Sequence, residues 1–355
     1  MTRARKRARA KKARSTNPYV TGSAPKKFGA EPKTARIKTF FWAAAFCCAT
    51  IGISGAALDT AKIDQITGLK GKLNEKEGAY KVTFPRNDVK IVVDGWTMPP
   101  FMGVGTWAAF TESKAGAMVM GDTVLFEDEV NLAMSVALDN GLNVTALHNH
   151  FFFDQPKVFF MHVEGEGAVD QLATAVGKVY DKIKEIRASN PQPKDSFGAN
   201  SLPEKSSISP EPLNAIFGIS GEVNNGMVKF TIGRPAKMHG VKIDRDMGVN
   251  TWAAFAGAND NAVVDGDFAV REDELQPVLK SLRKNNINIV AIHQHMTLEE
   301  PRILFFHYWG RGPAKSLAES VKGALTLTGA KESTPDDLLR RPHSHGKPTA
   351  PPTDD

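Results

Sequence analysis

The feature that most constrains this chain is a repeat at a constant offset of 145 residues. Thr106-Trp107-Ala108-Ala109-Phe110 returns as Thr251-Trp252-Ala253-Ala254-Phe255, Gly121-Asp122 as Gly266-Asp267, and Glu127-Asp128-Glu129 as Glu272-Asp273-Glu274. Leu147-His148-Asn149-His150, with Asp154, Pro156 and His162 behind it, returns as Ile292-His293-Gln294-His295 with Glu299, Pro301 and His307. An ungapped repeat of this length is an internal duplication. The 355 residues suffice for two domains that each bury a core.

Charge is divided unevenly along the chain. Residues 1–38 hold thirteen Lys and Arg against the single acid Glu31, a surplus of +12, so the rest of this +6 chain carries −6. The folded part therefore lacks the basic face that nucleic-acid binding needs, and no nucleic-acid partner is expected. Residues 1–38 read as a basic, disordered cytoplasmic tail. The twenty residues Thr39 to Leu58 carry no charge, which is just long enough to cross a bilayer as a helix. The basic flank would keep the N-terminus inside and send everything after it out of the cytoplasm. The stretch reads either as a retained membrane anchor or as a signal peptide cleaved near Ser54-Gly55-Ala56. Both cysteines, Cys47 and Cys48, lie within it, so the exported part has no disulfide, thiol nucleophile or zinc-thiolate site.

Periodicity then divides the remainder. A short helix follows Asp59, and Tyr80–Phe84 and Val89–Val93 alternate as strands, the second closed by the hairpin-type turn Asp94-Gly95. Apolar residues at 130, 133, 134, 137 and 138 mark a helix that starts at the acidic Glu127-Asp128-Glu129, where carboxylates favour the helix dipole. Leu275, Val278, Leu279 and Leu282 repeat that stripe, and Leu172, Val176, Val179 and Ile183 mark a second helix. The domain copies span 60–187 and 212–329, joined by the proline-rich linker 188–211 and followed by a disordered tail, 330–355. Trp107 and Trp252 read as core aromatics filling the same slot twice. No nucleophile elbow, P-loop or dinucleotide-binding glycine pattern occurs in a useful context.

Six of the nine histidines occupy the repeated positions. On a strand over Asn143 to His150, His148 and His150 share a face, and His162 shares that face on the next strand. A loop centred at Gln155 would set His148 opposite His162 and His150 opposite Phe160, so that three imidazoles converge. Asp122 or Asp154 would supply a fourth ligand. His293, His295 and His307 give the same layout, with Asp267 or Glu299. Three nitrogens and an oxygen suit a divalent transition metal, zinc first. The other readings are a small-ligand site using the same histidines, or core histidines with satisfied hydrogen bonds.

Lys81-Val82-Thr83-Phe84-Pro85-Arg86-Asn87-Asp88, Trp107-Ala108-Ala109-Phe110, Met120-Gly121-Asp122, Glu127-Asp128-Glu129-Val130, Val144 to His150 and Met161-His162 together resemble the LppY/LpqO family, named after mycobacterial lipoproteins and without an assigned function. The resemblance covers most of 60–185, with a more diverged copy over roughly 212–329, and implies an exported protein with two copies of the domain. It transfers no catalytic residue, and no lipid-attachment cysteine stands in context, because Phe46 precedes Cys47. The expected fold is α+β: two tandem homologous α/β sandwich domains, each a mixed or antiparallel sheet with two helices, after a signal or anchor segment. The expected function is that of a cell-envelope protein binding a divalent metal or small ligand through His148, His150, His162, His293, His295 and His307. Alternatives are a metal-dependent hydrolase of an envelope substrate, with Asp122 or Asp154 as base, and an interaction module with structural histidines. Expected partners are the membrane, through 39–58 if uncleaved, and a small ligand or envelope component.

Overall fold

Among the described residues, alternating apolar side chains build twelve strands that hydrogen-bond into one sheet shared by both copies. A computed structural model describes residues 58–198 and 200–329; the basic segment, nearly all of the uncharged stretch 39–58 and the tail 330–355 lie outside the described residues. The first copy contributes β1 (Lys72–Asn74), β2 (Ala79–Pro85), β3 (Gly105–Ser113), β4 (Gly116–Phe126), β5 (Asn143–His148) and β6 (Val158–Gly167). The second contributes β7 (Glu222–Asn224), β8 (Met227–Gly233), β9 (Asn250–Gly257), β10 (Ala262–Arg271), β11 (Asn288–His293) and β12 (Ile303–Gly312). The order is β1-β2-β3-β4-β6-β5-β11-β12-β10-β9-β8-β7, so each copy reads identically from its edge to the central seam. Every pairing in this sheet is antiparallel.

Helices α1 (Thr60–Thr67), α2 (Glu127–Asp139) and α3 (Val169–Ser189) belong to the first copy, and α4 (Pro210–Phe217), α5 (Glu272–Lys284) and α6 (Ala314–Leu325) to the second. The fold is mixed α+β, with a short third helix leading each copy in addition to the expected pair. Val130, Ala133, Met134, Ala137 and Leu138 of α2 are all buried, as are Leu275, Val278, Leu279 and Leu282 of α5. They join one apolar core with Ala117, Val119 and Leu125 of β4 and Val264, Phe268 and Val270 of β10. Each large side chain fully buried there contributes roughly 1.5–3 kcal/mol. Among the described residues no helix is long and apolar enough to cross a membrane.

The opposite face of the sheet is only partly covered. In the first copy a three-stranded flap of Val92–Val93, Trp96–Thr97 and Asp154–Gln155 closes over it. Its turn is the Asp94-Gly95 pair, both left-handed at φ 48° and 78°. Beneath the flap, Val89, Ile91 and Val104 pack on Val124, Phe126, Val158 and Phe160. The second copy repeats this with Ala236–Met238, Val241–Ile243 and Glu299–Glu300 over Ala269, Ile303 and Phe305.

Two irregularities hold the seam together. β5 bulges between Val144 and Ala146, and β11 between Ile289 and Ala291. A bulge leaves backbone groups outside the ladder. Gln276 of α5 donates to the Val144 carbonyl and accepts from its amide, both at 2.9 Å. Asn131 of α2 does the same for Ile289, at 3.1 and 2.7 Å. Each copy thus completes the hydrogen bonding of the other copy's bulged strand, beside the Leu147–Ile292 pairing.

The acidic helix starts do more than face a dipole. Glu129 is fully buried and accepts from the Phe126 amide at 2.9 Å and from Arg86 at 2.7 and 2.9 Å. Arg187 Nε lies 2.9 Å from Glu129 Oε1 as an ion-pair contact, and Arg187 also pairs with Asp128. Glu274 accepts from the Arg271 amide at 2.9 Å and from Arg234 at 2.7 and 2.6 Å. A carboxylate at this helix position therefore ties the helix start to the segment leaving β2 or β8.

Candidate metal centre

One row of side chains crosses the open face of each copy. Thr83, Trp107, Asp122, His162 and Ala146 stand opposite one another on β2, β3, β4, β6 and β5. Thr231, Trp252, Asp267, His307 and Ala291 form the same row on β8, β9, β10, β12 and β11. Opposed residues share a sheet face with Cβ atoms roughly 4.5–5.5 Å apart. Asp122 and Asp267 are thereby set beside their histidines. Both are buried although they lie on the open face.

The hairpin register differs from the expected one by two residues. His148 stands opposite Phe160, not His162, because the loop closes around Asp154 rather than Gln155. Asp154 Oδ2 accepts the Val158 amide at 2.6 Å and thereby closes that loop. A slip of two keeps every side chain on its face, whereas a slip of one would have reversed them. The imidazoles still gather: ring centroids lie 5.1 Å apart for His148–His162 and for His148–His150. In the second copy His293 lies 4.8 Å from His307 and 4.9 Å from His295. His150 and His295, just past their strands, stack on Phe160 at 3.4 Å and Phe305 at 3.6 Å. Phe160 and Phe305 thus form a floor under the outer histidine.

Asp267, His293 and His295 bring one donor atom each within 4.8 Å of one another, a group that can hold a metal ion. His293 Nε2 is 3.0 Å from His295 Nε2, which in turn is 3.4 Å from Asp267 Oδ2. His307 turns Nδ1 toward the Gly266 carbonyl at 3.4 Å. Asp267 Oδ1 and His293 Nδ1 are buried without a hydrogen-bond partner, and so is Asp122 Oδ1 in the first copy. Unpaired buried polar atoms cost about 1–3 kcal/mol each. Their recurrence in both rows fits a ligand that supplies the missing contact. Glu299 Oε1 accepts the Ile303 amide at 3.1 Å. Asp154 and Glu299 therefore serve as loop-closing acceptors, and the carboxylate beside the histidines is Asp122 or Asp267.

Burial governs the titration here. It pushes the Asp267 carboxyl up to about 6 against the opposing pull of His307, and raises Asp122 likewise. It also lowers His293 to about 4, with His307 and His295 adding to the effect, and lowers His150 and His295. Neutral imidazoles are the form that binds metal.

Trp107 and Trp252 are half-buried on the open face, not in the helix-side core, because they share the row of Asp122 and Asp267. Lys81 and Lys229 sit over their rings at 4.1 and 4.4 Å. A tryptophan's apolar bulk suggested the core, but its pairing with the aspartate was readable from the β3–β4 turn at Lys114-Ala115. That turn sets Trp107 against Asp122.

A family model described as a domain of unknown function, DUF1259, matches residues 61–182 and again 211–327, more than half of the chain. No curated protein and no solved structure matches the chain.

Proposed function

The chain belongs to the DUF1259 family and carries its domain twice, and from that premise we propose that it is an exported cell-envelope protein binding a divalent transition metal at each histidine row. The LppY/LpqO resemblance is the finer form of the same family reading. The observation that carries the metal is the group Asp267, His293 and His295, with Asp267 Oδ1 buried and unpartnered. His307 completes the proposed set, and Asp122, His148, His150 and His162 are its counterparts. A carboxylate with several imidazoles and no thiolate suits zinc, with copper, nickel and iron as competitors. Export is supported by the uncharged run Thr39 to Leu58 behind a basic segment. His295 keeps 35% of its side chain exposed, which leaves room for a further ligand and keeps a hydrolase of an envelope substrate as the second reading.

The test is elemental analysis of the full chain, purified without a His-tag, beside a variant in which His148, His150, His293 and His295 are alanine. Near-stoichiometric metal in the parent and none in a variant of unchanged circular dichroism is the expected result. A parent that is metal-free and cannot be loaded with zinc, copper, nickel or iron overturns the reading. Protease accessibility on intact cells tests export separately.

A further inference from the structure

Where β5 and β11 diverge from their pairing at Leu147–Ile292, a cavity of about 430 Å³ opens in the seam. Its walls include Phe159, Val290 and Trp309, and its polar lining includes Glu127, Asp265 and His307. Val290 sits at the β11 bulge and is 42% exposed, an unusual setting for a valine within a sheet. The volume lies within the range of about 300–1,000 Å³ in which small-molecule sites fall. No Lys or Arg lines the cavity, whereas two carboxylates do. The positions related by the duplication to Asp265, Trp309 and Val290 are Met120, Glu164 and Thr145. The lining is therefore a property of this side of the seam and not an inheritance of the repeat.

We propose that this cavity binds a small organic amine, its apolar body held among Phe159, Val290 and Trp309 and its ammonium group directed to the carboxylates of Asp265 and Glu127. A cation is favoured because a lining of two carboxylates and no Lys or Arg, with Lys229 acting on Asp265 only from outside it, repels anions and leaves neutral ligands without charge compensation. The apolar walls exclude a bare inorganic ion as the best occupant, since they would strip its hydration without replacing it. His307 gives the cavity a border with the second histidine row, yet the assignment does not require metal there.

The experiment is calorimetric titration of the full chain in excess chelator with three probes of one aromatic body: 2-phenylethylamine, 2-phenylethanol and 3-phenylpropionate. The titration is run at about pH 8, where the probe amine is charged. Saturable binding of the amine, at least about tenfold tighter than the alcohol and with the acid weakest, is expected. Val290→Trp should remove binding at an unchanged melting temperature. Asp265→Asn together with Glu127→Gln should bring the amine down to the affinity of the alcohol, and this variant carries the test if Val290→Trp does not fold. Absence of binding by all three probes, equal binding of all three, tightest binding of the acid, or full binding by a folded Val290→Trp protein would each overturn the proposal. Because metal is withheld throughout, none of these results bears on whether the histidine rows bind metal.

Discussion

The two copies solve the same problem at the helix start with different cations. In the first, fully buried Glu129 is held by Arg86 and Arg187, both themselves buried, with Asp88 and Asp128 as outer partners. In the second, Glu274 is held by buried Arg234, by half-exposed Arg271 and by the Gly329 amide. What persists is the acid; what varies is how deeply its partners are buried. Removing one member of a buried pair leaves an uncompensated charge, at about 3–5 kcal/mol. Glu129→Ala takes the shared buried partner from two buried guanidinium groups, leaving each only its outer carboxylate, and should lose about that much in urea unfolding. Glu274→Ala strands only Arg234, since Arg271 can turn to water, and should cost less, roughly 3 kcal/mol. Equal losses, or the reverse order, would break the idea that burial of the cation decides the cost.

The histidine rows sharpen the comparison, because there the second copy is the one drawn tighter. Its Asp267 carboxyl, with an ordinary value of 3.8, is held at about 6 by burial. A group raised on folding stabilises fully below its ordinary value and loses that contribution as pH rises through the folded one. The Asp267 contribution to metal-free protein should therefore fall between about pH 4 and pH 7, by at most about 3 kcal/mol for a shift of this size. His293, lowered from 6.5 to about 4, works the other way: its contribution is present above pH 6.5 and fades as pH falls through about 4. Asp267→Asn should raise the melting temperature of metal-free protein at pH 8 and raise it by clearly less at pH 4.5. If metal binds, its affinity should fall about tenfold per unit below pH 6 as Asp267 takes up a proton, and the Asn variant should lose that slope. A melting curve for Asp267→Asn that tracks the parent at every pH would mean the carboxylate is better solvated than its 2% exposure implies.

Much of this was legible in the residues, for identifiable reasons. The α2 and α5 stripes emerge as buried faces because a period of 3.6 reports local geometry. His148, Phe160 and His162 share a face because parity survives a two-residue error in loop closure. Lateral neighbours are another matter. Alternation tells which way a side chain points but not which strand lies alongside, so nothing in Val144 to Leu147 distinguishes a sheet edge from a seam. Arg86 was hidden for a related reason: a lone arginine in a loop reads as a solvated charge until Glu129, forty-three positions on, is seen to meet it.

The smallest effect belongs to the seam, the one place where the copies act on each other symmetrically. Asn131 and Gln276 stand at equivalent positions, and each makes two hydrogen bonds to the other copy's bulge. The two amide side chains are themselves only part-buried, so water can replace some of what is lost. Asn131→Ala and Gln276→Ala should each cost about 1–2 kcal/mol, below the cost of the buried carboxylates. Amide exchange should accelerate at Ile289 in the first variant and at Val144 in the second. Because, among the described residues, a single strand-paired residue couple, Leu147–Ile292, joins the backbones of the two copies, the double variant tests whether the sheet is one cooperative unit. If it is, the copies still unfold in one transition and the losses add. Two separate transitions would show that the side-chain amides, and not the strand pairing, make one domain out of two.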